Sequence, residues 1–107
     1  VVHPVVPTPV HDPFLNQQEF DHILADLRSI PFSKKRFERA KLIIQNERLN
    51  MSQFEGIFLE LKGTSYLFEL LKFSLPIVPN TSRMYTYKNW LRFNSERRAF
   101  EELLLQY

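Results

Sequence analysis

Three sets of side chains in this sequence have types and spacings that could do chemistry. His22 and Asp26 are four residues apart, one helical turn, which lets two ligands face one metal ion. A metal site needs a third ligand and usually a fourth, and no neighbouring residue supplies one. The other two histidines, His3 and His11, fall among prolines at the N-terminus. The pair therefore reads as part of a solvated helix face, and neither a metal nor a cofactor is expected. The second set is Lys34-Lys35-Arg36, followed by Arg39 and Lys41. Cations in the first turn of a helix oppose its macrodipole, at about 0.3–1 kcal/mol each, and Lys35 and Arg39 at i and i+4 repel. Either acids on a neighbouring helix, such as Glu60, Glu101 or Glu102, neutralise them, or Lys34, Lys35, Arg36 and Arg39 face an anion such as nucleic acid or anionic lipid. Arg92, Arg97 and Arg98 form a second basic set further on. The third set is Tyr85, Trp90 and Tyr107, aromatics of the kind that anchor a partner when the core does not claim them.

Covalent catalysis has little to work with. The chain has no Cys, no Gly-x-Ser-x-Gly elbow and no glycine-rich phosphate loop. The adjacent Glu101 and Glu102 would sit about 100° apart on a helix and could not face one substrate together. An enzyme is not expected.

The elements that must position these groups are helices. At 107 residues and 44% hydrophobic content the chain can bury one core, and ten Phe against two Gly favour helices over tight β-turns. A net charge of +2 falls well short of the cation loading of a typical nucleic-acid module, so charge alone names no partner. The absence of Cys is compatible with either redox compartment. The most apolar stretch, 67–78, is too short to span a bilayer of roughly 30 Å and carries Glu69 and Lys72. A start at Val1 rather than Met reads as a fragment or a processed form.

Four prolines (Pro4, Pro7, Pro9, Pro13) fix φ and remove amide donors, so residues 1–14 are expected to be an extended linker or arm and 15–107 the folded domain. Two related hexapeptides lie 34 residues apart: Leu15-Asn16-Gln17-Gln18-Glu19-Phe20 and Leu49-Asn50-Met51-Ser52-Gln53-Phe54. In each, Asn can cap a helix, Glu19 or Gln53 can reach back to the cap, and Leu can staple to Phe. The stripes that follow, Phe20/Ile23/Leu24/Leu27 and Phe54/Ile57/Phe58/Leu61, share the i, i+3, i+4, i+7 pattern of a buried helix face.

A second pair of helix starts, at Ser33 and Thr64, is spaced by 31. The later copy is apolar on several sides through Leu67, Phe68, Leu70, Leu71, Phe73 and Leu75, and is expected to be the central helix. Pro76 and Pro79 end it. A fifth helix carries Met84, Tyr87, Trp90 and Leu91, with apolar residues around most of its circumference. A sixth begins at Asn94 or Ser95 and carries Phe100, Leu103, Leu104 and Tyr107. The expectation is an all-α fold of about six short helices, in three helix-turn-helix repeats packed as a compact bundle or short solenoid.

Phe32-Ser33-Lys34-Lys35-Arg36-Phe37 with Ala40-Lys41, then Phe68-Glu69-Leu70-Leu71-Lys72, then Tyr85, Tyr87 and Phe93 with Glu101-Glu102-Leu103, together resemble the family called domain of unknown function 4476 over residues 17–107. Gly63 stands where that family commonly has an aromatic, and Asn80 where it commonly has Asp. The resemblance implies a helical fold and no activity. Taken together, the residues point to a non-enzymatic interaction or scaffolding module whose partner is another protein or a neighbouring domain, with anion binding as the alternative.

Overall fold

A computed structural model describes residues 14–107; the proline-rich segment 1–13 lies outside the described residues. Its elements are α1 (Gln17–Ser29), α2 (Ser33–Asn46), α3 (Met51–Leu59), α4 (Tyr66–Ser74), a 3₁₀ helix η1 (Thr81–Trp90) and α5 (Asn94–Leu104). The fold is all-α, with six helices and no strand among the described residues. None of these helices is long and apolar enough to cross a membrane.

The two Asn-headed helices begin where their caps require. The Glu19 amide donates to Asn16 Oδ1 at 2.8 Å, and the Asn16 side-chain amide bonds back to the Glu19 carboxylate. At α3 the reciprocal box is complete: the Gln53 amide donates to Asn50 Oδ1 and the Asn50 amide to Gln53 Oε1, both at 2.9 Å. The nearly buried Gln53 also donates from Nε2 to the Leu15 carbonyl at 2.6 Å, so one side chain caps α3 and fixes the start of α1.

α5 begins at Asn94, as expected, with Phe93 as its N-cap, whereas at α2 the N-cap is Phe32 rather than Ser33; neither Phe makes a side-chain cap bond. Thr64 lies two residues before α4, where its Oγ1 accepts from the Tyr66 amide at 3.2 Å. Just before it, Gly63 adopts φ 88°, the left-handed geometry that closes the α3–α4 turn and that an L side chain rarely takes.

The core runs through every helix. Leu27, Ile44, Phe54, Ile57, Phe58, Leu61 and Phe100 are all essentially inaccessible. α4 packs against α2, α3 and α5 and buries Leu67, Leu70 and Leu71, as its all-round apolarity predicts. α1 and α3 approach closely at Gly56, where a Cβ would stand 3.0 Å from the Phe20 ring.

Contacts between loops define two ends. Arg28 pairs with Glu60, Arg36 joins the end of α1 to the end of α3, and Phe37 stacks on Tyr66 with ring centroids 5.2 Å apart. One end therefore holds the C-termini of α1 and α3 with the N-termini of α2 and α4. Lys62 Nζ lies 5.7 Å from the Trp90 ring, bringing the last turn of η1 to the same end, and the start of α5 follows directly. At the other end the Leu15 amide donates to the Arg48 carbonyl at 2.8 Å, beside Ile77 and Pro79.

Candidate functional site

The 3₁₀ geometry of η1 sorts the aromatic candidates. With three residues per turn, Met84, Tyr87 and Trp90 eclipse on one face, and Tyr85 falls on another. Met84 and Tyr87 are buried. Tyr87 packs edge-on against Phe58 at 5.4 Å and stacks on Trp90 at 4.7 Å, so Trp90 is half-buried, held between Tyr87 and Lys62. Tyr85 is 51% exposed and Tyr107 57%.

Tyr85 and Tyr107 meet across a groove of about 510 Å³ between η1 and the C-terminal end of α5, with Leu104 and Leu105 as its apolar part and Thr81 and Ser82 at its edge. The structure thus unites two of the three aromatic candidates and places Trp90 elsewhere. Sequence reading missed Lys88 at this groove. Its Nζ sits 3.9 Å from the Tyr85 ring centre, donates to the Tyr85 hydroxyl at 2.7 Å and pairs with Glu101 at 3.1 Å. Those two hydrogen bonds, to Tyr85 first and then to Glu101, raise the Lys88 ammonium above its ordinary range. The available signal was the i, i+3 spacing of Tyr85 and Lys88, which only a 3₁₀ helix turns into direct superposition.

Tyr87 shows the opposite environment. Burial, and next the nearby Glu55 carboxylate, push its phenol above the ordinary 10.0, only partly offset by Arg83. The folded state then holds this proton more tightly than the unfolded chain. Its contribution to stability is complete below about pH 10 and is lost as pH rises through the folded value. Tyr87→Phe should flatten the alkaline fall in stability measured by denaturant melts above about pH 10. Equal slopes for the two chains would contradict this.

No family model, curated protein or solved structure matches this chain.

The basic candidates divide as well. Arg36 faces inward: Nε and Nη2 donate to the Ile30 carbonyl at 3.2 and 2.6 Å, and Nη1 donates to the Glu60 carbonyl at 3.0 Å. Both carbonyls belong to C-cap residues, where the helix dipole is negative and acceptors lack intrahelical donors. Arg36 therefore clamps α1 to α3. Arg39 pairs with Asp26 at 3.1 Å, both side chains about half exposed, an interaction of little net stability. Lys34 and Lys35 are exposed and meet no carboxylate among the described residues; Lys35 lies 5.9 Å from the Phe32 ring. Of the acids expected as partners, Glu60 binds Arg28 at 3.0 Å and Glu101 binds Lys88.

His22 and Asp26 lie exposed on α1 and line a groove with Arg39 and Glu47 on the α2 side. No three His, Asp or Glu among the described residues are placed to share a metal ion. In the second basic set, Arg97 donates to Asn94 Oδ1 at 2.8 Å, and its buried Nε has no partner among the described residues. Arg92 lies 5.3 Å from the Phe93 ring.

Proposed function

We propose that this chain is a non-enzymatic helical interaction module that holds a segment of another protein, or of a neighbouring domain, in the groove between η1 and the end of α5. One observation carries the reading: Tyr85 and Tyr107, each more than half exposed, converge with Leu104 and Leu105 on one concavity instead of joining the core beside them. Tyrosine gives large contact area with few rotatable bonds, and a groove of this size suits a few partner side chains. Lys88 holds the Tyr85 ring in place before any partner arrives, lowering the ordering cost of binding.

In this reading the six helices are three copies of one hairpin, α1–α2, α3–α4 and η1–α5. The paired caps at Asn16 and Asn50 support the first two copies, and the Phe N-caps of α2 and α5 relate the first to the third. The resemblance to domain of unknown function 4476 is part of the same proposal. Affinity capture with the full chain tests it. Partners retained by the parent chain should be lost with Tyr85→Ala/Tyr107→Ala and kept with Lys72→Ala, which does not line the groove. Identical capture by all three chains would end the proposal.

The anion-binding alternative through Lys34, Lys35, Arg36 and Arg39 changes character once side-chain contacts are considered. Arg36 and Arg39 have internal partners, which leaves the two lysines and whatever other cations share their end of the bundle.

A further inference from the structure

Charge is strongly segregated along the bundle. The three segments that close the end around Arg36, residues 28–36, 59–66 and 90–98, hold eight of the fourteen Lys and Arg but only two of the twelve Asp and Glu. A chain of net charge +2 thereby carries a cationic end and an acidic remainder. Lys34, Lys35, Lys62, Arg92 and Arg98 meet no carboxylate there among the described residues. Apolar side chains stand out from the same loops: Phe32 is 65% exposed, Phe93 55% and Leu59 45%. Each exposed Phe has a cation over its ring, Lys35 at 5.9 Å and Arg92 at 5.3 Å.

We propose that this end docks on an anionic lipid surface, with Phe32, Phe93 and Leu59 entering the interface and the surrounding lysines and arginines meeting headgroup phosphates and carboxylates. Several cations near such a surface contribute attraction within a Debye length, and exposed apolar side chains add burial at the headgroup–acyl boundary. The combination matters, because neither a few charges nor a few apolar groups alone give stable attachment. Single-stranded nucleic acid also uses aromatics and cations, but through a groove that follows the backbone. Here the apolar groups stand on three separate segments, at the N-caps of α2 and α5 and the last residue of α3, and aliphatic Leu59 offers no stacking surface. The docking end is distinct from the Tyr85–Tyr107 groove, so the two can be lost separately.

The test is flotation of the full chain with vesicles of phosphatidylcholine alone or with about one-third phosphatidylserine, at about 50 and 300 mM salt. The chain should bind the anionic vesicles at low salt, lose about tenfold in binding at high salt, and ignore the neutral ones. Phe32→Ser/Phe93→Ser should weaken binding about tenfold and Lys34→Glu/Lys35→Glu should abolish it. The charge-matched Arg48→Glu/Lys72→Glu, placed away from this end, and Tyr85→Ala/Tyr107→Ala should leave binding unchanged. Trp90, the single Trp and at the same end, provides a reading that needs no variant: brominated anionic lipid should quench its fluorescence. Absence of binding at low salt, absence of quenching, or full binding by Phe32→Ser/Phe93→Ser would each overturn the proposal. A single-stranded oligonucleotide that displaced the vesicles and itself depended on Phe32 and Phe93 would reassign the surface to nucleic acid.

Discussion

Phe58→Ala should lower the free energy of unfolding by about 3–5 kcal/mol, the largest loss expected from any single substitution considered. Phe58 is inaccessible to solvent, lies 5.9 Å from Phe54, and receives the edge of Tyr87 at 5.4 Å. With Glu55, which meets Tyr87 and Arg83, it joins α3 to η1, so truncation opens a cavity and also loosens the helix that presents Tyr85. For a domain of this size each kcal/mol shifts Tm by about 4–8 °C, which puts the expected fall on the order of 20 °C. A thermal melt by circular dichroism measures it. A fall of only a few degrees would mean that the aromatic cluster collapses around the gap and that η1 is not anchored through it.

Arg36→Ala is expected to cost about 2–4 kcal/mol, more than an exposed arginine ordinarily contributes. Three donors leave two carbonyls at the C-caps of α1 and α3, and those oxygens have few other partners. Arg36→Lys should recover less than half of the loss, because a single ammonium cannot reproduce the planar fork that spans both oxygens. Hydrogen exchange would locate the damage in the last turns of α1 and α3 while leaving α4 protected. Full recovery by Lys would show that charge, not the bridge between helix ends, is what this residue supplies.

These two residues also show what could be read from the sequence. The stripe containing Phe58 was visible from spacing alone, and so were the Asn16 and Asn50 caps, because both signals reside in side-chain types at fixed offsets. The use of Arg36 was hidden. Its acceptors are backbone carbonyls, which every residue has, so nothing in the sequence marks them. The same limit applies to η1. Met84, Tyr87 and Trp90 recur every three residues, which a stretch of α-helix tolerates almost as well as a 3₁₀ helix, yet the tighter helix separates Tyr85 from them. Apolar residues around the circumference foretold exposure of some aromatics but not which ones. The structure exposes Tyr85 and half-buries Trp90 against Tyr87. The exposed Phe32 and Phe93 were legible beside helix starts but not as occupants of one end, which the contact of Lys62 with Trp90 reveals.

The account rests on the division of aromatics into those that hold the fold and those that face outward. Thermal denaturation of the full chain carrying Tyr85→Ala/Tyr107→Ala tests that division most directly. The two changes together should reduce stability by less than about 1 kcal/mol, as surface substitutions do. A loss approaching that of Phe58→Ala would show that Tyr85 and Tyr107 belong to the core, leaving no groove to offer a partner.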